Sequence, residues 1–479
     1  MPAERGVSEG GAPVSRGGGA AAAGGTVAPA RACAHRVLRR VFEQGAYAEK
    51  ALAAEAQSLQ PRDRALAMRL SYGAVQRRGT SDHLIEALAE RPAERLDGPV
   101  LASLRLGLYE LLYLEGAPDY AVVADAVELA KPRSDAGGGG QRRGGHGLVN
   151  AVLRRAAREG RERLLGALHD RDAPGAAVMH SHPEWIARMW WQALGPEDAR
   201  SLLAFDNEPA ELALRANTLV AGRDQLAASL PVRTRLVPEI PEALVLEEPF
   251  DLHGSPLWQQ GALTAQSRAA MLVARTLAPA AGERVLDLCA APGGKTTHLA
   301  ALMGDEGELV AVERNAARAR ALEATARRMH AGIVRVELAD ATAPAGHQEF
   351  DRVLVDPPCS GLGTLQARPD LRWRASEEAL PRLAALQGRI LAAGAEALRP
   401  GGVLVYSTCT VSPSENERVI ADFLHSRPDF RLDELSSQRA AAGAEPASAD
   451  LDMVRSRTLQ TLPHRDRTAG FFIARMRRS

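Results

Sequence analysis

The chain has 479 residues, enough for about three domains, and its 46% hydrophobic content is that of an ordinary globular protein. No run of about 18 apolar residues occurs, and the first thirty residues lack the basic start and apolar core of a signal peptide; this excludes a transmembrane helix and leads us to expect a cytoplasmic protein without membrane contact. The 59 basic residues balance 59 acidic ones, yet only Lys50, Lys131 and Lys295 are lysine, a bias that GC-rich codon usage accounts for in the main and that makes a surviving lysine stand out.

Residues 1–30 are rich in glycine and alanine without a period and are expected to form a disordered tail. From 31 to 165 the chain reads as all-helical. LRRVFEQGAY, RDRALAMRLSYGAVQRR, PVLASLRLGLYELLYL, YAVVADAVELAK and GLVNAVLRRAARE carry apolar residues at helical spacing, with breaks at Pro92, Pro118 and Pro132. This segment holds 22 basic and 17 acidic residues, and the basic run GGGGQRRGGHG at 137–147 interrupts its last two helices. Such a bundle fits either a plain solvated surface or RNA binding. Residues 166–275 are mixed: HSHPEWIARMWWQALG predicts a helix starting at Pro183, ELALRANTL a strand and GALTAQSRAAMLVARTL another helix, together a small α+β subdomain. Residues 276–479 alternate. Strands are predicted at 284–289, 308–313, 333–338, 351–356, 402–408 and 470–476, with helices at about 295–303, 315–330, 377–398 and 414–425. That pattern predicts a doubly wound parallel sheet, with GFFIARM as its antiparallel strand.

The four cysteines, Cys33, Cys289, Cys359 and Cys409, form no CxxC pair, which argues against a disulfide framework and against a metal site. Cys33 and Cys289 read as small hydrophobes. Cys359 in FDRVLVDPPCSGLGTL and Cys409 in GGVLVYSTCTVSPSENE each follow an apolar, β-branched run and open a loop. Each therefore marks the carboxyl end of a parallel strand, the edge where open α/β sheets bind ligands. VLDLCAAPGGKT makes a third such edge. It is neither a GxGxxG turn nor a phosphate loop, because no glycine precedes Gly294-Lys295 at the required spacing. Cys289, Ala290, Ala291, Pro292, Gly293, Gly294 and Lys295 are therefore expected to line a nucleoside cofactor without phosphates.

Acids recur at the strand ends that follow: Glu313, Asp340 and Asp356. The first is placed to accept from both ribose hydroxyls, the second from an adenine amine, and the third lies nearest the reacting centre. Any one alone fits a helix N-cap; three in order after one glycine loop fit S-adenosylmethionine. Cys359 follows two prolines that fix the backbone. Cys409 is expected just before a helix starting in the Ser-Pro-Ser-Glu-Asn run, where the helix dipole would help hold a thiolate. Carbon 5 of cytosine is a poor nucleophile, and a thiolate added at carbon 6 would activate it. An acid at N3 would stabilise the adduct, and a second thiol would aid release.

The residues 289–295 (CAAPGGK), 356–359 (DPPC), 408–410 (TCT) and 413–417 (PSENE) resemble the motifs of the Sun-type RNA cytosine-5 methyltransferases. The resemblance implies that Cys409 is the nucleophile and that Cys359 assists product release. Asp356 and Lys295 complete the implied catalytic set, and the CAAPGGK loop with Glu313, Asp340 and Asp356 would bind S-adenosylmethionine. DRALAMRLSYGAVQRR and GLVNAVLRR are similar to a NusB-like RNA-binding domain. The implied architecture is an all-α NusB-like domain at 31–165, a linker and small α+β subdomain at 166–275, and a Rossmann-like methyltransferase domain at 276–479. The implied substrate is RNA, 16S rRNA by family likeness and tRNA as runner-up, for an enzyme expected to be a monomer. Two departures stand out: Glu313 replaces a common Asp, and Gln266-Ser267 replaces a common Gln-Asp.

Three rivals make different demands. A DNA cytosine-5 methyltransferase would attack with Cys359 and have no use for Cys409. A non-catalytic NusB-like RNA-binding factor would need neither thiol. A cysteine hydrolase would need a histidine base, and none adjoins Cys409 in the sequence.

Overall fold

A computed structural model of the chain describes residues 27–132, 145–343, 350–435 and 449–479. The expected tail up to residue 26 and most of the glycine-rich run at 137–147 lie outside the described residues. The first helix already begins at Pro29, whose fixed φ suits a first helical turn.

The amino-terminal helices, Pro29–Gln44, Ala48–Glu55, Pro61–Gln76, Arg78–Ala89, Gly98–Tyr113, Asp119–Leu129 and His146–Glu159, form one bundle. Gly98–Tyr113 is its axis. Ala102, Leu106 and Tyr109 pack with the first three helices, including buried Cys33. Leu104, Leu108 and Leu112 face the other way, toward Ile85, Val149 and Leu153. A helix apolar on two faces is a core helix, and truncating one of these leucines to alanine costs roughly 2–5 kcal/mol. Gly73 lets two helices meet there, since a Cβ would fall 1.9 Å from the Tyr109 ring.

Three further helices, Ala173–His180, Glu184–Leu194 and Pro196–Phe205, connect this bundle to the rest. They are more than a linker: their core of Ile186, Trp190, Leu202 and Leu203 includes Leu362, Leu365 and Val411 from the loops that carry Cys359 and Cys409. A small antiparallel sheet follows, formed by β1 (Ala213–Ala216), β2 (Thr234–Leu236), β3 (Ala243–Leu246) and β4 (Leu263–Ala265) in the order β2-β3-β1-β4. The stretch read as one helix at 261–277 thus splits into β4 and the helix Arg268–Leu277. Ser267 caps that helix by accepting from the Ala270 amide, the task an aspartate would perform there. The helix runs through the expected 275/276 boundary and packs Ala269, Val273 and Leu277 against the large sheet, so it belongs with the large-sheet domain.

The large sheet contains β5 (Arg284–Asp287), β6 (Glu308–Val312), β7 (Val334–Glu337), β8 (Phe350–Val355), β9 (Leu398–Thr408), β10 (Phe430–Leu432), β11 (Leu459–Gln460) and β12 (Phe472–Arg478). Its order is β10-β12-β9-β8-β5-β6-β7, with β11 paired to β12. Strands β5 to β9 are mutually parallel, while β12 runs antiparallel to both β9 and β10. Alternation along the strands builds two cores. Val353 and Val355 face the helices Leu380–Ala397 and Glu417–Ser426, whereas Leu354 faces Arg268–Leu277 and Gly294–Leu302. The chain runs outward from β5 through β6 to β7, then returns to β8 on the other side. That reversal opens a crevice at the carboxyl ends of β5 and β8.

Candidate active site

β5 ends at Asp287, which is buried. Thr296 Oγ1 donates to its Oδ2 at 2.8 Å, and its Oδ1 has no hydrogen-bond partner among the described residues. Burial pushes this carboxyl up to about 6. Beyond it, Ala290 and Ala291 are buried, Cys289 is half-buried and Pro292 is exposed. Burial raises the Cys289 thiol far above its ordinary range, which disfavours its thiolate. The loop turns at Gly293, whose φ of 104° is in the left-handed region, and runs into the helix Gly294–Leu302. A Cβ on Gly294 would meet nothing within 4 Å, so open space lies against the backbone there.

Glu313 follows β6. It is buried, accepts from the Asn315 amide at 2.8 Å and lies 3.4 Å from Arg318. Asp340 follows β7 but is exposed, and its carboxylate accepts from the Thr342 amide and hydroxyl at 2.9 and 2.8 Å. These bonds hold Asp340 below the usual carboxylate range. The local contacts of both acids are those of turn-capping residues. The orphaned Asp287 oxygen, the buried Glu313 and the open backbone of Gly294 together suit a neutral-to-cationic nucleoside group bearing hydroxyls and an amine.

Asp356 follows β8 and joins three strand ends. Its Oδ2 accepts from Lys295 Nζ at 2.7 Å, and its Oδ1 accepts from Ser407 Oγ, on β9, at 2.8 Å. Burial alone would lower the Lys295 ammonium, but the Asp356 charge and hydrogen bond outweigh it and the net shift is upward. The ammonium also lies 5.0 Å from the centre of the Phe471 ring.

The two thiols meet. Cys359 Sγ and Cys409 Sγ are 3.4 Å apart, brought together from loops after adjacent parallel strands. Their titrations diverge. The hydrogen bond between the thiols, in which either can donate, with Lys295 and Arg368 nearby, brings Cys409 below its ordinary value against the opposing effects of burial and the Asp356 charge. The same hydrogen bond and burial drive Cys359 well above. Cys409 is thus the member of the pair disposed to be a thiolate.

The expected helix dipole does not supply this. Pro413–Asn416 form turns, and the helix starts only at Glu417, eight residues beyond Cys409. The intervening residues instead hold the loops together. Glu415, fully buried, accepts from the Ser360 amide at 2.8 Å, from Ser360 Oγ at 2.6 Å and from Gln387 Nε2 at 3.1 Å. Asn416 exchanges hydrogen bonds with Thr408 and Thr410 on either side of Cys409. The Gly363 amide donates to the Cys409 carbonyl at 3.0 Å. Asp287, Ser360, Gln387 and Ser407 also take part in the site's hydrogen bonds, although no motif singles out their roles. The PSENE run was the available signal for Glu415 and Asn416, and Gln387 had none.

Comparison with known proteins follows the same division of the chain. The family described as 16S rRNA methyltransferase RsmB/F matches residues 274–477, the NusB family matches 28–158, and a ferredoxin-like domain of RsmF/B-like methyltransferases matches 182–253. A Synechocystis protein named "Probable ribosomal RNA small subunit methyltransferase B" is 35% identical over 94% of this chain and 99% of its own length. The ribosomal RNA small subunit methyltransferase B of Escherichia coli is 32% identical over 93% of this chain and 98% of its own. Among solved structures, that titled "Crystal Structure of PH0851" superposes with a TM-score of 0.76 at 25% identity, covering 94% of this chain and 99% of the other.

Proposed function

Because the chain belongs to the family of ribosomal RNA small subunit methyltransferases B, we propose that it methylates carbon 5 of a cytosine in 16S rRNA, with S-adenosylmethionine as donor. The observation that carries the reading is the pair of thiols 3.4 Å apart, beside the Lys295–Asp356 pair and one strand from the glycine loop. When bound, S-adenosylmethionine supplies an electrophilic methyl group. Glu313 would hold its ribose hydroxyls, Asp340 its adenine amine, and the 289–295 loop would shape the backbone wall.

The rest is work for this chain's own side chains. Cys409, whose thiolate form is favoured, adds to carbon 6 of the cytosine and makes carbon 5 nucleophilic. Asp356 would share a proton with N3 as the ring gains charge, and the Lys295 ammonium paired with it would offset that charge. After methylation the carbon 5 proton leaves and the Cys409–carbon 6 bond breaks. The proton passes to solvent as Cys409 is expelled as its thiolate, and Cys359, 3.4 Å from Cys409, assists that elimination. The amino-terminal bundle, similar to NusB, contributes RNA contacts whose strength falls with salt.

The test is methyl transfer from labelled cofactor to 16S rRNA and tRNA, with 5-methylcytosine mapped by sequencing. Labelled 5-methylcytosine in 16S rRNA, absent with Cys409→Ala, is the expected result. Methylation of tRNA in its place, or full activity of Cys409→Ala, overturns the substrate or the nucleophile respectively.

A further inference from the structure

Arg215 lies on β1, a strand buried at every position. Its fully buried guanidinium leaves the small sheet and enters the catalytic domain. Nε donates to Gln266 Oε1 at 2.8 Å, and Nη2 donates to Thr297 Oγ1 at 2.9 Å. Thr297 in turn donates to the carbonyl of Gly293 at 2.8 Å, the residue whose left-handed φ turns the glycine loop into its helix. An unbroken relay thus runs from the small sheet to that loop. Asn217, just beyond the strand, anchors it further by donating to the carbonyls of Gly261 and Met329 at 2.9 and 2.7 Å.

The relay is costly. No carboxylate touches the guanidinium among the described residues, because Glu242 is occupied by His298 at 2.6 Å and Arg275 at 3.0 Å. Nη1 of Arg215 and Nε2 of Gln266 are buried without hydrogen-bond partners among the described residues. A buried cation without a paired carboxylate opposes folding, and packing alone requires none. Departures of this kind concentrate where a geometry is being enforced.

We propose that Arg215 is a positioning residue for the cofactor loop: acting through Thr297, it fixes the Gly293 carbonyl and with it the turn carrying residues 289–295. The four-stranded sheet is then part of the cofactor site's construction and not a spacer. The inference rests on the reading of that loop as the site for S-adenosylmethionine.

The experiment uses the full chain and three variants. Thr297→Val keeps the side-chain shape and removes the relay hydroxyl, Thr297→Ser restores it, and Arg215→Lys replaces the fork with a single point donor. Hydrogen exchange across residues 289–295, measured without cofactor, should quicken about tenfold or more in Thr297→Val and Arg215→Lys, with the helical bundle unchanged. Calorimetry should show S-adenosylmethionine bound about fivefold or more weakly by both, and Thr297→Ser within about twofold of wild type. Loop exchange and affinity within about twofold of wild type in Thr297→Val overturn the proposal, as does equal acceleration throughout the chain, which marks a merely structural role. If the wild-type protein binds no S-adenosylmethionine, the cofactor reading falls, while the exchange comparison still decides whether Arg215 holds the loop.

Discussion

Glu415 allows a quantitative test of how the thiol loops are held. It is fully buried, and both its oxygens are engaged: one accepts from the Ser360 amide and Gln387 Nε2, the other from Ser360 Oγ. Removal by Glu415→Ala leaves unequal losses. Ser360 Oγ can turn to Thr410 Oγ1, 2.7 Å away, and Gln387 Nε2 keeps the Pro358 carbonyl at 3.0 Å. The Ser360 amide alone loses its partner. A hydrogen bond to a charged acceptor is worth roughly 1.5–3 kcal/mol, and the cavity adds to this, so local stability of the Cys359 loop should fall by about 3 kcal/mol. That corresponds to amide exchange about a hundredfold faster at Ser360. Glu415→Gln should cost only about 1 kcal/mol, because its amide oxygen can still accept from the Ser360 amide while its NH2 donates to Ser360 Oγ. Hydrogen exchange of the segment 357–364 reads both. Exchange in Glu415→Ala within about threefold of wild type, or Glu415→Gln as fast as Glu415→Ala, would refute the reasoning.

Four further outcomes are expected. Cys359→Ala should accumulate a covalent enzyme–RNA adduct through Cys409, visible on denaturing gels, and Cys409→Ala should not; the opposite pattern would favour the DNA-type assignment. Glu313→Ala should weaken S-adenosylmethionine binding by about tenfold or more, since a charged acceptor of two hydroxyls is lost, and calorimetry checks this. Lys295 helps lower the Cys409 thiol, so Lys295→Met should move the midpoint of Cys409 alkylation to higher pH, as iodoacetamide rates across a pH series would reveal. Asp206 is pushed up to about 7 by burial, against the opposing charge of Arg372. Its folded state therefore binds a proton that the unfolded state has released between its ordinary value of 3.8 and about 7. Stability should decline as pH rises through that window, and thermal unfolding of Asp206→Asn should show a flatter profile there.

The sequence was most legible where one periodicity dominates. The strands at the carboxyl edge of the large sheet end at Asp287, Val312, Val355 and Thr408, so the residues that open the loops stand where their apolar runs predicted. The pairing of Cys359 with Cys409 followed from that edge, since β8 and β9 are neighbours. Legibility failed where long-range contacts override local pattern. Nothing near Gly98–Tyr113 says that this helix is apolar on two faces because it is the axis of a bundle. Leu263–Ala265 reads as helix by its neighbours, yet pairs with β1 because the small sheet needs a fourth strand. The Ser-Pro-Ser-Glu-Asn run resembles a helix start, but Glu415 and Asn416 are drawn back to bind the thiol loops, which delays the helix to Glu417. Gln266 and Arg215 find each other across 51 positions, a pairing no window of sequence reveals.

The place of β12 has a consequence for how the protein is made. This strand comes last in chain order but is an inner strand of the large sheet, bonded to β9 on one side and β10 on the other. A nascent chain that has emerged as far as Ser426 already contains every proposed site residue. Its β9 edge nevertheless presents unpaired backbone from Val403 to Thr408, flanked by apolar Val403, Leu404, Val405 and Tyr406. Synthesis and assembly therefore run out of step: the site residues are made first, and the strand that pairs with the β9 edge is made after them. During that interval the growing chain carries an edge open to pairing with other strands until Phe472–Arg478 appear.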